Sequence, residues 1–272
     1  MNKKVSVIIT AYNEEKKIER SVCSILNQTY KEIELIIIND GSTDRTIDVI
    51  NKFCDPRIHV VNRENLGRIK SLNEGLKIAK GEYIAINDAD DYSELDRIEK
   101  QVRYLDSNDD VGVLGTSYFR IDSIRGEKYI RHYPTEDYAI KRDMCKYIPI
   151  CQGTVMYRRN LIINAGGYNE NFEDIEDLEL WIRVGRQTKF ANLRIPLYTY
   201  DLSMDTSYFH NNYSSFRRNL TLLRLSMKAI KVFRLPIWLI VFPVGRFFYP
   251  AMPKFLKKII RKSVSDIIED EI

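Results

Sequence analysis

The first ninety residues alternate between short apolar runs and longer stretches in which apolar side chains recur every three or four positions. Residues 5–10, 34–38, 58–61 and 83–86 are such runs, rich in β-branched side chains and of strand length. Between them, 14–27 brings Ile18, Val22, Ile25 and Leu26 onto one helical face, 43–53 follows Ser42 as an N-cap, and 66–79 is a third helical stretch. Strands without polar alternation are buried on both faces, so this order predicts an α/β fold with a mostly parallel central sheet and helices on both sides. After about residue 110 the pattern changes. Residues 111–122 and 128–133 read as longer strands of a mixed sheet, 152–157 as another strand, Gly166-Gly167 as a break, and 175–186 and 211–233 as helices.

Ligands of such sheets sit beyond the carboxyl ends of the strands. Polar residues gather there: Tyr12-Asn13-Glu14, Asn39-Asp40-Gly41-Ser42 and Asn87-Asp88-Ala89-Asp90-Asp91. Carboxylates two apart, as in Asp88 and Asp90, can share a hard cation with the oxygens of a diphosphate, although a solvated acidic turn has the same composition. Asp40 could accept hydrogen bonds from a ribose or base edge, or its turn could merely start a helix. No G-x-G-x-x-G and no G-x-x-x-x-G-K-[ST] is present, which disfavours dinucleotide and P-loop readings. A bound diphosphate would then be neutralised by metal and basic side chains. Arg68 and Lys70 are the candidates, with a solvated helix face as the alternative. Residues 170–179 hold six carboxylates. One of them could be a general base, while an acidic helix start is the competing explanation.

The chain has 272 residues, 44% hydrophobic and 29% charged, ordinary values for a globular protein, and no repeat or low-complexity tract. Its four cysteines form no C-x-x-C pair or zinc spacing and read as small buried hydrophobes in a reducing compartment. The apolar run at 5–9 is too short for a signal peptide, which predicts a cytoplasmic location. Twelve basic and no acidic residues lie in 206–265, so the net charge of +4 leaves the rest of the chain at −8. Residues 235–249 are apolar but interrupted by Pro236, Pro243 and Arg246, and too short to span a bilayer. Lys254, Lys257, Lys258, Arg261 and Lys262 then alternate with Phe255, Leu256, Ile259 and Ile260. A basic amphipathic segment of this kind predicts peripheral membrane contact through 235–262, at the inner face of the cell membrane. Packing on the body or on a second subunit is the alternative. An acidic body without a recognisable module excludes nucleic acid as partner.

In combination, these motifs resemble the family 2 glycosyltransferases. The match runs through Val5–Glu14, Asn39–Asp44, Asn65-Leu66-Gly67, Leu72-Asn73-Glu74-Gly75, Gly81–Ile84, Asp88–Asp91, Gly166-Gly167-Tyr168 and Glu176-Asp177, over about residues 4–200. The resemblance implies the GT-A fold, a nucleotide-sugar donor and a saccharide or lipid-linked acceptor. By the same resemblance Ala11, Tyr12 and Glu14 line the nucleoside pocket, Asp40 meets the base, Asp88 with Ala89 lies beside the nucleotide, Asp90 holds Mg²⁺ or Mn²⁺, and Asp177 is the catalytic base of an inverting displacement. Glu176, Glu179 and Trp181 are acceptor-side candidates. Glu179 stands where many relatives have a second Asp, and Gln152 where relatives often carry His. No Q-x-x-R-W follows, which predicts a single transfer rather than chain growth. The expected division is a transferase domain at 1–205, with a nucleotide half at 1–110 and an acceptor half at 111–205, and a helical basic segment at 206–272. A nucleotidyltransferase or a catalytically silent nucleotide-sugar-binding module are the competing readings.

Overall fold

Strand β1 (Val5–Ala11) sends Val5, Val7, Ile9 and Ala11 into one core and Ile8 into another. That two-sided burial is why the run is apolar throughout. The computed structural model describes residues 3–122, 127–172, 175–201 and 216–249. Next to β1 lie β2 (Ile33–Asp40) and β4 (Tyr83–Asp88), both parallel to it, and β3 (Ile58–Arg63) is parallel to β2. Beyond β4 come antiparallel β8 (Met156–Arg158), then β6 (Val111–Asp122), then β9 (Lys189–Asp201) parallel to β6. The sheet order is β3-β2-β1-β4-β8-β6-β9-β5, with β5 being Tyr92–Ser93 and β7 (Glu127–Arg131) a side branch on β6.

Helices α1 (Ile18–Leu26), α2 (Thr46–Ile50) and α4 (Arg97–Ser107) cover one face through Ile18, Val22, Ile25, Ile50, Ile98, Val102 and Leu105. On the other face α3 (Arg68–Ile78), α5 (Asp137–Asp143), α6 (Arg159–Asn164) and α7 (Glu176–Val184) bury Leu72, Leu76, Ile140, Ile162, Leu180 and Trp181. Helix α8 (Phe216–Val232) joins that second core with Leu222, Leu225 and Ala229. A short 3-10 turn, Ile237–Ile240, leads into α9 (Val241–Phe248).

Several expectations need correction. The helix expected over 43–53 shrinks to α2, and Ser42 does not cap it. Its hydroxyl donates to Asn39 Oδ1 at 2.5 Å, while Asp44 Oδ1 accepts the Thr46 N–H at 2.9 Å. The strand expected at 152–157 is a 3-10 turn, Gln152–Thr154, followed by the three-residue β8. Of the basic tail, residues 250–262 lie outside the described residues, as do Glu173, Leu202 and Ser203. Among the described residues no helix is long and apolar enough to cross a membrane.

Candidate functional site

The parallel register brings the carboxyl ends of β1, β2 and β4 together. Thr10 pairs with Asp88, and Ala11 with Asn39. Beyond β4 the chain turns so that Asp88 and Asp90 are partly accessible and Asp91 is buried. Asp91 Oδ2 accepts the Tyr198 hydroxyl at 3.0 Å, and Oδ1 accepts the Asp201 N–H at 3.0 Å. Arg20 clamps the outside of the turn, reaching Asp201 Oδ2 at 2.7 Å and the Asp90 carbonyl at 3.1 Å. Beneath it, the fully buried Arg97 has no carboxylate partner among the described residues. It donates to the Ile86 and Val155 carbonyls and to Ser93 and Asn87, and lies 5.4 Å from the Tyr198 ring centre. Burial lowers the Arg97 guanidinium to about 10.

Crowded carboxylates mark this end of the sheet. Burial, then the neighbouring Asp88, raises Asp90 above its ordinary value. Glu14, whose N–H donates to Thr46 Oγ1 at 2.7 Å, is pushed up to about 7 by burial and by Asp90. Two cations answer them. Lys17 is close enough to counter both Glu14 and Asp90, and Arg68 Nη2 meets Asp88 Oδ1 at 2.6 Å.

Arg68 also joins this turn to the second acidic cluster. Its Nε lies 3.5 Å from Glu176 Oε1, so one guanidinium spans Asp88 and the start of α7. Asn73, five residues further along α3, fixes the approach to α7: its amide donates to the Tyr168 carbonyl at 2.9 Å and its Oδ1 accepts the Tyr168 N–H at 2.8 Å. Gly166 and Gly167 have φ of +86° and +71°. A Cβ at Gly167 would stand 2.7 Å from Asn73 Oδ1, so the tight glycine turn and the asparagine clip require each other. Asp177, 9% exposed, accepts the Leu178 N–H at 2.7 Å. Burial, then the adjacent Glu176, pushes Asp177 up to about 7, a value suited to taking a proton near neutral pH.

The structure thus links Glu14, Arg68, Asp88, Asp90, Glu176 and Asp177 in one chain of neighbouring charges. Tyr12 is exposed, while Ala11 and Ala89 are buried. Other expected residues are turned elsewhere. Both Asp40 oxygens hold the loop before α3, accepting the Leu66 and Gly67 N–H groups at 3.0 and 2.8 Å, and Arg63 pairs with Asp40 at 2.9 Å. Lys70 sits about 200° round the helix from Arg68 and is exposed. Glu179 pairs with Arg183 at 2.9 Å and Lys228 at 3.5 Å, and Arg183 carries that charge to the Ala165 and Gly167 carbonyls. Trp181 is fully buried between Tyr157 and Phe190. The last two side chains are thus engaged within the framework of α7. Tyr198, Arg20 and Arg97 were not foreseen, and Asp91 was singled out only as part of the acidic run after β4.

Among the described residues no three His, Cys, Asp or Glu side chains converge into a self-sufficient metal cage. Asp88 and Asp90 nonetheless fit a hard divalent cation, which takes one or two carboxylates and completes its shell with phosphate oxygens and water.

Residues 6–166, more than half of the chain, match the model of glycosyl transferase family 2. The chain belongs to this family. Of its relatives, an uncharacterized glycosyltransferase of Haemophilus influenzae is 38% identical over 73% of the chain and 65% of its own length. The putative glycosyltransferase EpsE of Bacillus subtilis is 31% identical over 98% of both. The UDP-Glc:alpha-D-GlcNAc-diphosphoundecaprenol beta-1,3-glucosyltransferase WfaP of Escherichia coli is 36% identical over 66% of the chain and 69% of that protein. The chain therefore spans just under two thirds of the Haemophilus relative and nearly all of EpsE. Among solved structures, S. aureus TarS 1–349 with UDP-GlcNAc superposes with a TM-score of 0.73 at 22% identity, over 90% of this chain and 73% of that one. The mannosyltransferase PcManGT of Pyrobaculum calidifontis, with GDP-Man and Mn²⁺, reaches 0.64 at 18% identity, over 98% and 81%. The fold is GT-A and the protein is a glycosyltransferase, so the nucleotidyltransferase and silent-module readings fall away.

Proposed function

We propose that this enzyme moves one sugar from a nucleoside-diphosphate donor, with UDP as the nucleotide, to a hydroxyl of a lipid-linked or growing cell-surface saccharide, inverting the anomeric centre. The observation that carries the reading is Arg68, whose guanidinium spans Asp88 and Glu176 and so joins the carboxyl end of β4 to the helix of Asp177. The UDP-GlcNAc in TarS and the diphosphoundecaprenol acceptor in the name of WfaP support the choice of donor and acceptor.

In this reading Tyr12 lies against the base and Glu14 bounds the nucleoside, while Asp40 works at one remove by holding the loop before Arg68. Asp90, with Asp88 beside it, would hold Mg²⁺ or Mn²⁺, which supplies neutralising charge to the diphosphate; the Mn²⁺ in PcManGT supports that assignment. Arg68 exchanges its carboxylate partners for donor phosphate oxygens. Asp177 takes the proton of the acceptor hydroxyl as that oxygen bonds to the anomeric carbon. The bond from that carbon to the diphosphate oxygen breaks on the opposite side, and the nucleoside diphosphate leaves with the electron pair. Positioning and charge stabilisation carry most of the catalysis in such a displacement. Placement at the inner face of a membrane follows from the lipid-linked acceptor. The transferase domain at 1–205 and the basic segment at 206–272 divide these tasks.

The test is a thermal-shift screen of UDP- and GDP-sugars with and without Mn²⁺, since a ligand that binds only the folded state raises its melting temperature. Hits are then assayed for transfer to a polyprenyl-diphosphate saccharide, with the product anomer read by NMR. A retained anomeric configuration, or no nucleotide-sugar that stabilises the fold, would overturn the proposal.

A further inference from the structure

Helix α8 ends at Val232, and Arg234 follows with φ +54°, so that the Leu235 N–H reaches back to the Ile230 carbonyl at 2.9 Å. A left-handed residue at this point closes the last helical turn and reverses the chain over the body. The segment that follows is divided lengthwise. Leu235, Leu239 and Pro243 are buried, the first two against Cys145 and Ile230. Ile237, Trp238, Val241, Phe242, Val244 and Phe248 face outward, with Ile237 72% and Trp238 62% exposed. The Trp238 and Phe242 rings are 6.2 Å apart, and the Lys146 ammonium lies 5.1 Å from the Phe242 ring centre. A run of large apolar side chains on the outside marks an interaction surface.

Charge identifies the partner. Residues 216–249 hold seven basic side chains and no acidic one, and Arg224, Lys231 and Arg234 are exposed. Residues 254–262 add five more basic residues. A second copy packed ledge to ledge would oppose like charges. An anionic lipid surface complements both the charge and the apolar row, with tryptophan suited to the headgroup boundary.

We propose that the ledge at 237–248 is the face on which this enzyme docks to an anionic bilayer, Trp238 and Phe242 entering the headgroup layer and the basic residues of α8 lying over lipid phosphates. The proposal rests on the lipid-linked acceptor of the preceding reading. It adds a physical connection: α8 packs on α7 and its Lys228 pairs with Glu179 at 3.5 Å, so the docking face is built on the helix that carries Asp177.

The test uses the full chain and vesicles of phosphatidylcholine with or without phosphatidylglycerol, without donor or acceptor. Sedimentation should show at least about tenfold tighter binding to the anionic vesicles, weakened by salt. The chain has two tryptophans and Trp181 is fully buried, so quenching by brominated lipid reports Trp238 without any mutation. The double variant Ile237→Asp with Val241→Asp, both at exposed positions, should lose about tenfold or more in vesicle affinity while transfer to a water-soluble acceptor is unchanged. Equal binding of the variant, no preference for anionic vesicles, or a dimer that the variant disperses would each overturn the docking face. Failure of the unsubstituted chain to bind vesicles, with transfer to a lipid-linked saccharide intact, removes this proposal alone. Vesicle binding without transfer to any lipid-linked saccharide removes the acceptor reading alone.

Discussion

Asp177→Asn should cost the enzyme its turnover and at the same time make the fold more stable. The substitution removes a charge and keeps an oxygen that can accept the Leu178 N–H now held at 2.7 Å. The carboxyl is raised from its ordinary 3.8 to about 7 by burial and then by Glu176. The folded state therefore binds this proton more tightly than the unfolded state. The stabilising contribution of the protonated group is complete below the unfolded value of 3.8 and is lost as pH rises through about 7. At 1.36 kcal/mol per tenfold step, the loss by pH 8 reaches about 4 kcal/mol at most. Glu176 shares the same repulsion and asparagine carries its own burial cost, so we expect the variant to recover about 1–3 kcal/mol. At about 2–4 °C per kcal/mol for a chain of this size, its melting temperature should exceed that of the wild type by roughly 3–10 °C at pH 8. The gap should narrow between pH 7 and pH 4. Paired melts across that range measure it, with a donor thermal shift in parallel to establish that nucleotide-sugar binding survives. A gap independent of pH, a less stable variant, or preserved turnover would refute the assignment of a charged, poorly solvated base.

The wild type should show a rising limb in log kcat/KM centred near pH 7, as the carboxyl of Asp177 ionises. Arg68→Gln should move that limb upward, because Arg68 favours the ionised form, and should weaken donor binding by about tenfold or more through a lost charge-assisted contact; a pH–rate series and donor titration test both. Asp90→Asn should raise the Mn²⁺ concentration that half-saturates turnover by about tenfold, with the metal-free melting temperature equal to or above that of the wild type, since burial and Asp88 disfavour the charge. Gly167→Ala should cost about 1–3 kcal/mol and depress kcat by shifting α7, whereas Gly166→Ala, strained in φ but with open space at its Cβ, should cost about 1 kcal/mol and leave kcat near normal; melts and initial rates of the two separate strain from clash.

The nucleotide half of the fold could be read from the chain because β1, β2 and β4 are buried on both faces and α1 and α4 carry apolar stripes. Where polar residues enter the core the signal failed. Helix α4 buries Arg97 and Gln101 within its apolar face, and both exist there only because Ile86, Val155, Thr154 and Leu114 present carbonyls from distant segments. Strand β9 contains Pro196 and pairs with β6 through register shifts, which blurs the period of two. Both elements are products of tertiary pairing, to which a local window is blind.

The acidic site residues divide along a different line. Asp88, Asp90 and Asp91 are equivalent as composition, as are Glu176, Asp177 and Glu179. Their neighbours separate them. Glu179 receives Arg183 and Lys228 and is satisfied within the framework. Asp91 receives only the Tyr198 hydroxyl and the Asp201 N–H, and burial with Asp90 and Asp88 raises it well above its ordinary value. Asp90 and Asp177 likewise lack a basic side chain within ion-pairing distance among the described contacts, and both are raised from their ordinary value. A fold that leaves such carboxylates undercompensated while matching Glu179 stores unfavourable charge at the proposed cation and proton sites. If that is the reason for the arrangement, the ion-paired carboxylate must behave in the opposite sense. Glu179→Gln should lower the melting temperature at pH 8, where Asp177→Asn raises it, and an equal response of the two would remove the distinction.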